Sequence, residues 1–141
     1  MGAVANRMRP DLVAVIAAGG ALGSPARYGV SRLVHVAPDS FPWATFVTNL
    51  TGAFVLGIFL TLVFERHAMS RTPHLRLFFA VGFLGAFTTF STMAVETVLL
   101  VKDGFAPLGI GYLVLSIACG LGITYLGIMS ARVRPRHREA A

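Results

Sequence analysis

The sequence predicts an all-α membrane protein of four transmembrane helices with a break in the third. Three observations predict it. The 141-residue chain is 55% hydrophobic and only 13% charged, where soluble domains carry about 25% charged residues; its mean hydropathy is +0.73. The apolar residues fall into four long runs, each near the ~20 residues that cross a bilayer. The third run contains the stretch Gly82 through Glu96, in which Gly85, Thr88, Thr89, Ser91 and Thr92 interrupt the apolar pattern before a carboxylate. In hydrocarbon, backbone that leaves the helix persists only when it is buried in protein or lines a wet cavity. This stretch therefore marks either a packed helix crossing or a permeation site.

Four spans nearly use up the chain, so residues 1–141 form a single membrane domain with no room for a soluble catalytic one. Span one is expected at about 11–36. Its Gly19 and Gly23 form a small-xxx-small pair that permits close helix approach. Arg7 and Arg9 ahead of an apolar stretch resemble the start of a signal peptide, but the stretch continues through Tyr28 and Leu33 and reads as a retained helix. Pro38 to Pro42 is a turn. Span two is expected at 43–64, with Trp43 at the interface. The longest loop follows, from Glu65 to His74. Span three is expected at 75–101, a tight connection at Lys102, Asp103 and Gly104 leads on, and span four is expected at 108–132. The basic tail, 133–141, completes the chain.

The net charge is +6 and the pI about 10.8. The basic residues sit at the ends of apolar runs, which fits anionic headgroups rather than nucleic acid. With four spans both termini share a side. That side carries Arg7, Arg9, Arg66, Arg71, Arg76, Arg132, Arg134, Arg136 and Arg138, against Arg27, Arg32 and Lys102 on the other. The bias predicts a multi-pass cell-membrane protein with both termini cytoplasmic.

Polar residues within spans are expensive and are functional candidates by default. Asn49 lies mid-span on one face with Thr45, either as an interhelical hydrogen-bond clasp or as a pathway residue. Arg27 either snorkels to headgroups or forms a positive vestibule. Glu96 is a structural acceptor or a proton or cation site. Ser116 has hydroxyl-to-backbone bonding as its bland role. Phe87 and Phe90 fill a core or face lipid, yet the positive edge of an aromatic ring can also coordinate a small anion. Cys119 reads as a small buried apolar residue. His35, His67, His74 and His137 do not cluster, and no GxSxG, HExxH, CxxC or phosphate-binding glycine loop is present. The chain is not expected to be an enzyme.

Three motifs in order resemble the Fluc (CrcB) family of fluoride channels. Gly19 to Gly23 followed by Arg27 and Tyr28 resembles its GGxxGxxxRY start, Thr45 through Asn49 and Gly52 its GTLxVNxxGxF stretch, and Gly82 through Glu96 its GFxGGxTTFSTFxxE signature. The resemblance implies passive, fluoride-selective export that relieves fluoride toxicity, through an antiparallel dimer with two pores and span three broken at Thr88 to Ser91. It assigns Phe90, Met93, Asn49, Ser116 and Thr89 to the fluoride pore and Arg27 to the vestibule. It implies a structural sodium ion at the dimer interface, held by the backbone carbonyls of Gly85 and Thr88. Met93 stands where the family usually has a second pore phenylalanine, and Ala44, Thr48 and Ala86 are smaller departures. The charge bias is also larger than a subunit of dual topology should show, which admits a heterodimer with a paralogous subunit of reverse bias beside the homodimer. Two other classes stay open: a small proton-coupled exporter of cationic compounds, with Glu96 as its sole intramembrane carboxylate, and a subunit or regulatory protein that does not itself conduct.

Overall fold

The computed structural model describes residues 9–34, 36–37, 39–65 and 72–132. The basic tail, most of the loop after span two, and His35, His67 and His137 lie outside the described residues. Within them every element is helical and no strand occurs.

Helix α1 runs Pro10–Leu33, opening with proline at its first position, where the missing N–H costs nothing. It stops at Val34, whose backbone is extended, so the helix is shorter than the expected 11–36. Asp39, at φ 58, turns the chain, a conformation that Asp tolerates better than most residues. Helix α2, Trp43–Leu60, continues through a wider π turn, Thr61–Glu65. The third long helical stretch is composite: α3 (Pro73–Arg76), a π-helical stretch (Leu77–Leu84), α4 (Gly85–Phe87) and α5 (Phe90–Lys102). Gly104, at φ 91, turns the chain into α6, Ala106–Arg132. Three stretches are long and apolar enough to cross a membrane: Trp43–Glu65, Pro73–Lys102 and Ala106–Arg132. Helix α1 has 24 residues, about 36 Å, and carries Asp11, Arg27 and Arg32 along that length.

Two backbone seams order the bundle. Lipid supplies no hydrophobic drive between helices, so close packing of small residues must hold them. In the first seam a Cβ on Gly19 would strike the Phe78 carbonyl and one on Gly23 the Phe83 carbonyl, while Gly82 lies against Ile16 and Gly19. Helix α1 thus lies on the π-helical stretch without a side chain between them. In the second seam, Gly57 on α2 faces the Thr124 carbonyl of α6, and Gly127 on α6 faces the Phe54 carbonyl of α2. Each seam joins helices that run in the same direction. Polar contacts close one end: Asp11 accepts from Arg9 at 2.7 Å and meets His74 Nε2 at 3.1 Å, and Glu65 accepts from both Nε and Nη2 of Arg132. At the other end Phe46, Met93 and Tyr112 form a buried cluster, with Phe41, Leu50, Leu113 and the half-buried Cys119 packed on it.

Gly57→Ala should push apart a seam that has no slack, costing about 1–3 kcal/mol. Gly29→Ala, where the added methyl meets nothing within 4 Å, should be neutral or stabilise by up to about 1 kcal/mol through helix propensity. Thermal unfolding of the two variants in one detergent checks the contrast; equal midpoints would remove the seam.

Candidate functional site

The helix stops at Phe87 and resumes at Phe90. Between them Thr88 (φ −79, ψ 157) and Thr89 (φ −150, ψ 115) are extended. Both are β-branched residues whose hydroxyls offer the backbone an alternative to helix. Thr89 uses that option fully. Its Oγ1 accepts the Thr92 N–H at 3.1 Å and donates to Thr92 Oγ1 at 2.9 Å, capping α5. Thr88 Oγ1 donates back to the Leu84 carbonyl at 2.9 Å, which finishes α4.

An extended peptide inside the membrane leaves an N–H and a carbonyl without helical partners, and Asn49 supplies both. The Thr89 N–H donates to Asn49 Oδ1 at 2.8 Å, and Asn49 Nδ2 donates to the Thr89 carbonyl at 3.0 Å. Only one orientation of the amide satisfies both bonds. Of the two roles the sequence allowed for Asn49, the clasp is realised, and a second Nδ2 hydrogen is left over. Gly52, one turn further on, leaves room for the Thr88 methyl, which a Cβ there would strike.

The clasp has a consequence for two carbonyls. In an unbroken helix the Gly85 carbonyl would receive the Thr89 N–H, and the Thr88 carbonyl the Thr92 N–H. The first of these donors goes to Asn49 and the second to the Thr89 hydroxyl. The Gly85 and Thr88 carbonyls therefore both lose their usual donors at the break.

A cavity of about 470 Å³ opens beside the break. Asn49, Gly85, Thr88, Thr89, Phe90, Met93 and Ser116 line it, together with apolar Leu56, Leu84, Ile117 and Leu121 and with Thr124. No charged side chain lines it. Seven of the eight residues singled out by sequence converge here, with different exposures. The Phe90 ring is 71% exposed in the single chain, whereas Met93 is 5% exposed and packs among Phe46 and Tyr112. Ser116 is buried and its hydroxyl has no partner, so the expected bond to its own helix backbone is not made. The eighth residue, Arg27, is apart. It is half-buried in a second cavity of about 350 Å³ with Ser24, Ser31, Thr45, Thr48, Thr92 and Glu96. Thr89 is the one residue shared by the two cavities. Among the described residues no cluster of His, Cys, Asp or Glu is able to hold a metal.

Glu96 holds three elements together. Its Oε1 accepts from Thr45 of α2 at 2.7 Å and its Oε2 from Tyr112 of α6 at 2.8 Å. Tyr112 is fully buried and is the participant that sequence reasoning missed. The available signal was a tyrosine within an apolar run, since a buried phenol needs a partner and Glu96 is a carboxylate in the middle of the third long helical stretch.

The family model for CrcB-like proteins, described as camphor resistance (CrcB), matches residues 14–128. The chain belongs to the CrcB family. The match covers the broken helix, both cavities and the Asn49 clasp. Among CrcB relatives, the fluoride-specific ion channel FluC 1 of Mycolicibacterium paratuberculosis is 42% identical over 125 residues, spanning 88% of this chain and 93% of that protein. FluC 1 of Streptomyces coelicolor is 39% identical over 126 residues, 89% of this chain and 80% of that one. The fluoride-specific ion channel FluC of Dehalococcoides mccartyi is 40% identical over 116 residues, 82% and 88% of the two chains.

Asn49→Leu should leave both polar groups of the Thr89 peptide buried and unpaired, at about 1–3 kcal/mol for each group. A fall in the thermal midpoint well beyond that of Asn49→Ser, which keeps one hydroxyl at the site, is the expected result. Equal midpoints for wild type and Asn49→Leu would remove the clasp.

Proposed function

We propose that this chain is a subunit of a fluoride-selective channel that lets cytoplasmic fluoride leave the cell passively, reducing its toxicity. Fluoride enters as neutral HF and is trapped as the anion at cytoplasmic pH, so a downhill exit suffices. The observation that carries the reading is the cavity at the break, whose polar groups are all neutral. Ser116, with its unpartnered hydroxyl, Asn49, with a spare Nδ2 hydrogen, and the aromatic ring of Phe90 all line one space. Neutral donors replace part of an anion's hydration without trapping it, as conduction requires. Met93 contributes a thioether and no ring edge, so Phe90 is the aromatic contribution of this chain. Arg27, in the second cavity and without an ion-pair partner among the described residues, attracts anions toward Thr89.

The assembly we infer is an antiparallel dimer of four-span subunits, with α1 as the first span, in the cell membrane. The open flank of the cavity and the exposed Phe90 support it, because a narrow pathway needs a second wall. The second subunit is this chain or a paralogue of opposite Lys/Arg bias. Proton-coupled export of cations is disfavoured because both Glu96 oxygens are held by Thr45 and Tyr112 and Glu96 does not line the neutral cavity.

The carbonyls of Gly85 and Thr88 fit a structural sodium ion at the dimer interface. They are uncharged hard donors, and both have lost their helical partners. A resident ion would offset those lone pairs and tie the two breaks together; it takes no part in moving fluoride.

Liposomes holding the purified chain should release fluoride and retain chloride, read with a fluoride electrode. Release by the chain alone establishes a homodimer; release only after co-reconstitution with a homologue of opposite bias establishes the paired form. Retention in both cases by folded protein overturns the proposal. Phe90→Ile should abolish release while leaving the dimer intact, and undiminished release would remove Phe90 from the pathway. Replacing sodium by N-methylglucamine should lower the thermal midpoint of the dimer, with the gain on adding sodium back growing as the logarithm of its concentration once above the dissociation constant. A midpoint indifferent to sodium would remove the ion.

A further inference from the structure

The Arg27 cavity continues outward. A third cavity, of about 330 Å³, is lined by Arg32, Val34, Val36 and Pro42 and shares Ser31, Ala44 and Glu96 with it. The Arg27 cavity in turn shares Thr89 with the cavity at the break. The three therefore form a series that leads from the end of α1 to the break. Charge is ordered along it. Arg32 and Glu96 are the charged residues lining the outer cavity, Arg27 and Glu96 those lining the middle one, and none lines the inner one. Glu96 accepts a hydrogen bond at each oxygen, as a carboxylate does, so an anion on this route passes a negative charge before it reaches the neutral donors. Arg32 lies in the last turn of α1, is exposed, and has no ion-pair partner among the described residues. A cation there also suits the negative end of the helix dipole, a role that alone would give it no bearing on flux.

We propose that Arg32 is the outer access residue of the anion path: its charge offsets Glu96 in the outer cavity and so admits an anion toward Arg27. Without Arg32 the outer cavity presents the Glu96 charge alone and repels what the path must collect. The effect is one of long-range charge and depends on salt. At 0.01 M ionic strength the Debye length is about 30 Å, so both charges act on an anion in the outer cavity; at 1 M it is about 3 Å, and much of that field is screened. This role rests on the fluoride-channel function proposed above.

Entry limits flux when fluoride is far below saturation. Initial efflux is therefore measured from liposomes holding full-length protein and little fluoride, with potassium gluconate setting the ionic strength on both sides, in whichever reconstitution the wild type conducts. Arg32→Gln should slow efflux at least about three-fold at about 0.01 M ionic strength and by less than about 1.5-fold at about 1 M. Arg32→Lys keeps the charge and should keep wild-type efflux at both. Lys102→Gln removes one positive charge at the same end of the bundle, from a residue that lines none of the three cavities, and should leave efflux unchanged. Wild-type efflux from Arg32→Gln at low ionic strength overturns the proposal while leaving the channel function standing. So does a loss that is independent of ionic strength, which would make Arg32 structural, or an equal loss in Lys102→Gln, which would make the effect one of general surface charge. A wild type that releases no fluoride in either reconstitution fells the channel function itself and this role with it.

Discussion

The pairing of one side-chain amide with one peptide underlies everything that makes this chain more than a bundle of apolar helices. A bilayer offers no water to a peptide that leaves the helix, so Thr88 and Thr89 stay extended only because another group takes over the Thr89 hydrogen bonds. Asn49 takes both, and Thr89 caps the following helix with its own hydroxyl. Two features of the break follow: carbonyls at Gly85 and Thr88 without their helical donors, and a phenylalanine at the first position of the new helix.

The rest of the bundle positions Asn49 against that break. Contacts between α2 and α6 through Gly57 and Gly127, and between α1 and the π-helical stretch through Gly19, Gly23 and Gly82, are made backbone to backbone. Such seams have almost no tolerance, and that gives Asn49 a fixed distance to Thr89 across 40 residues of sequence. Glu96 adds a second tie, joining α2, α5 and α6 through Thr45 and Tyr112 at the far side of Thr89. The two cavities are kept apart by Thr89, with charge in one and neutral donors in the other.

Much of this was legible in the residues. Hydropathy located the long helices, because bilayer thickness sets their length. The glycines of α1 announced close packing, and the run of threonines announced trouble for a helix. Asn49 stood out because an amide in hydrocarbon needs a reason. Its partner was not legible, since nothing local ties residue 49 to residue 89, and both a clasp and a pathway role fitted. Ser116 was misjudged in its bland role: its hydroxyl makes no backward bond, although Thr88 and Thr124, which line the same cavity, make theirs. Met93 was read for its chemistry, whereas its burial among Phe46 and Tyr112 comes from three elements meeting. Tyr112 was passed over because a tyrosine in an apolar run resembles an interface anchor until its depth is known.

The most direct test of the clasp is hydrogen exchange at a single amide. Protein labelled with 15N-threonine would be transferred to deuterated buffer and the Thr89 N–H followed by NMR, in the wild type and in Asn49→Ser. If Asn49 holds the break, the Thr89 amide exchanges slowly in the wild type despite facing a cavity, and at least ten-fold faster in the variant, a difference of about 1.4 kcal/mol in the cost of opening. A Thr89 amide that exchanges as fast as an open loop in the wild type, or equally in both proteins, would contradict the account.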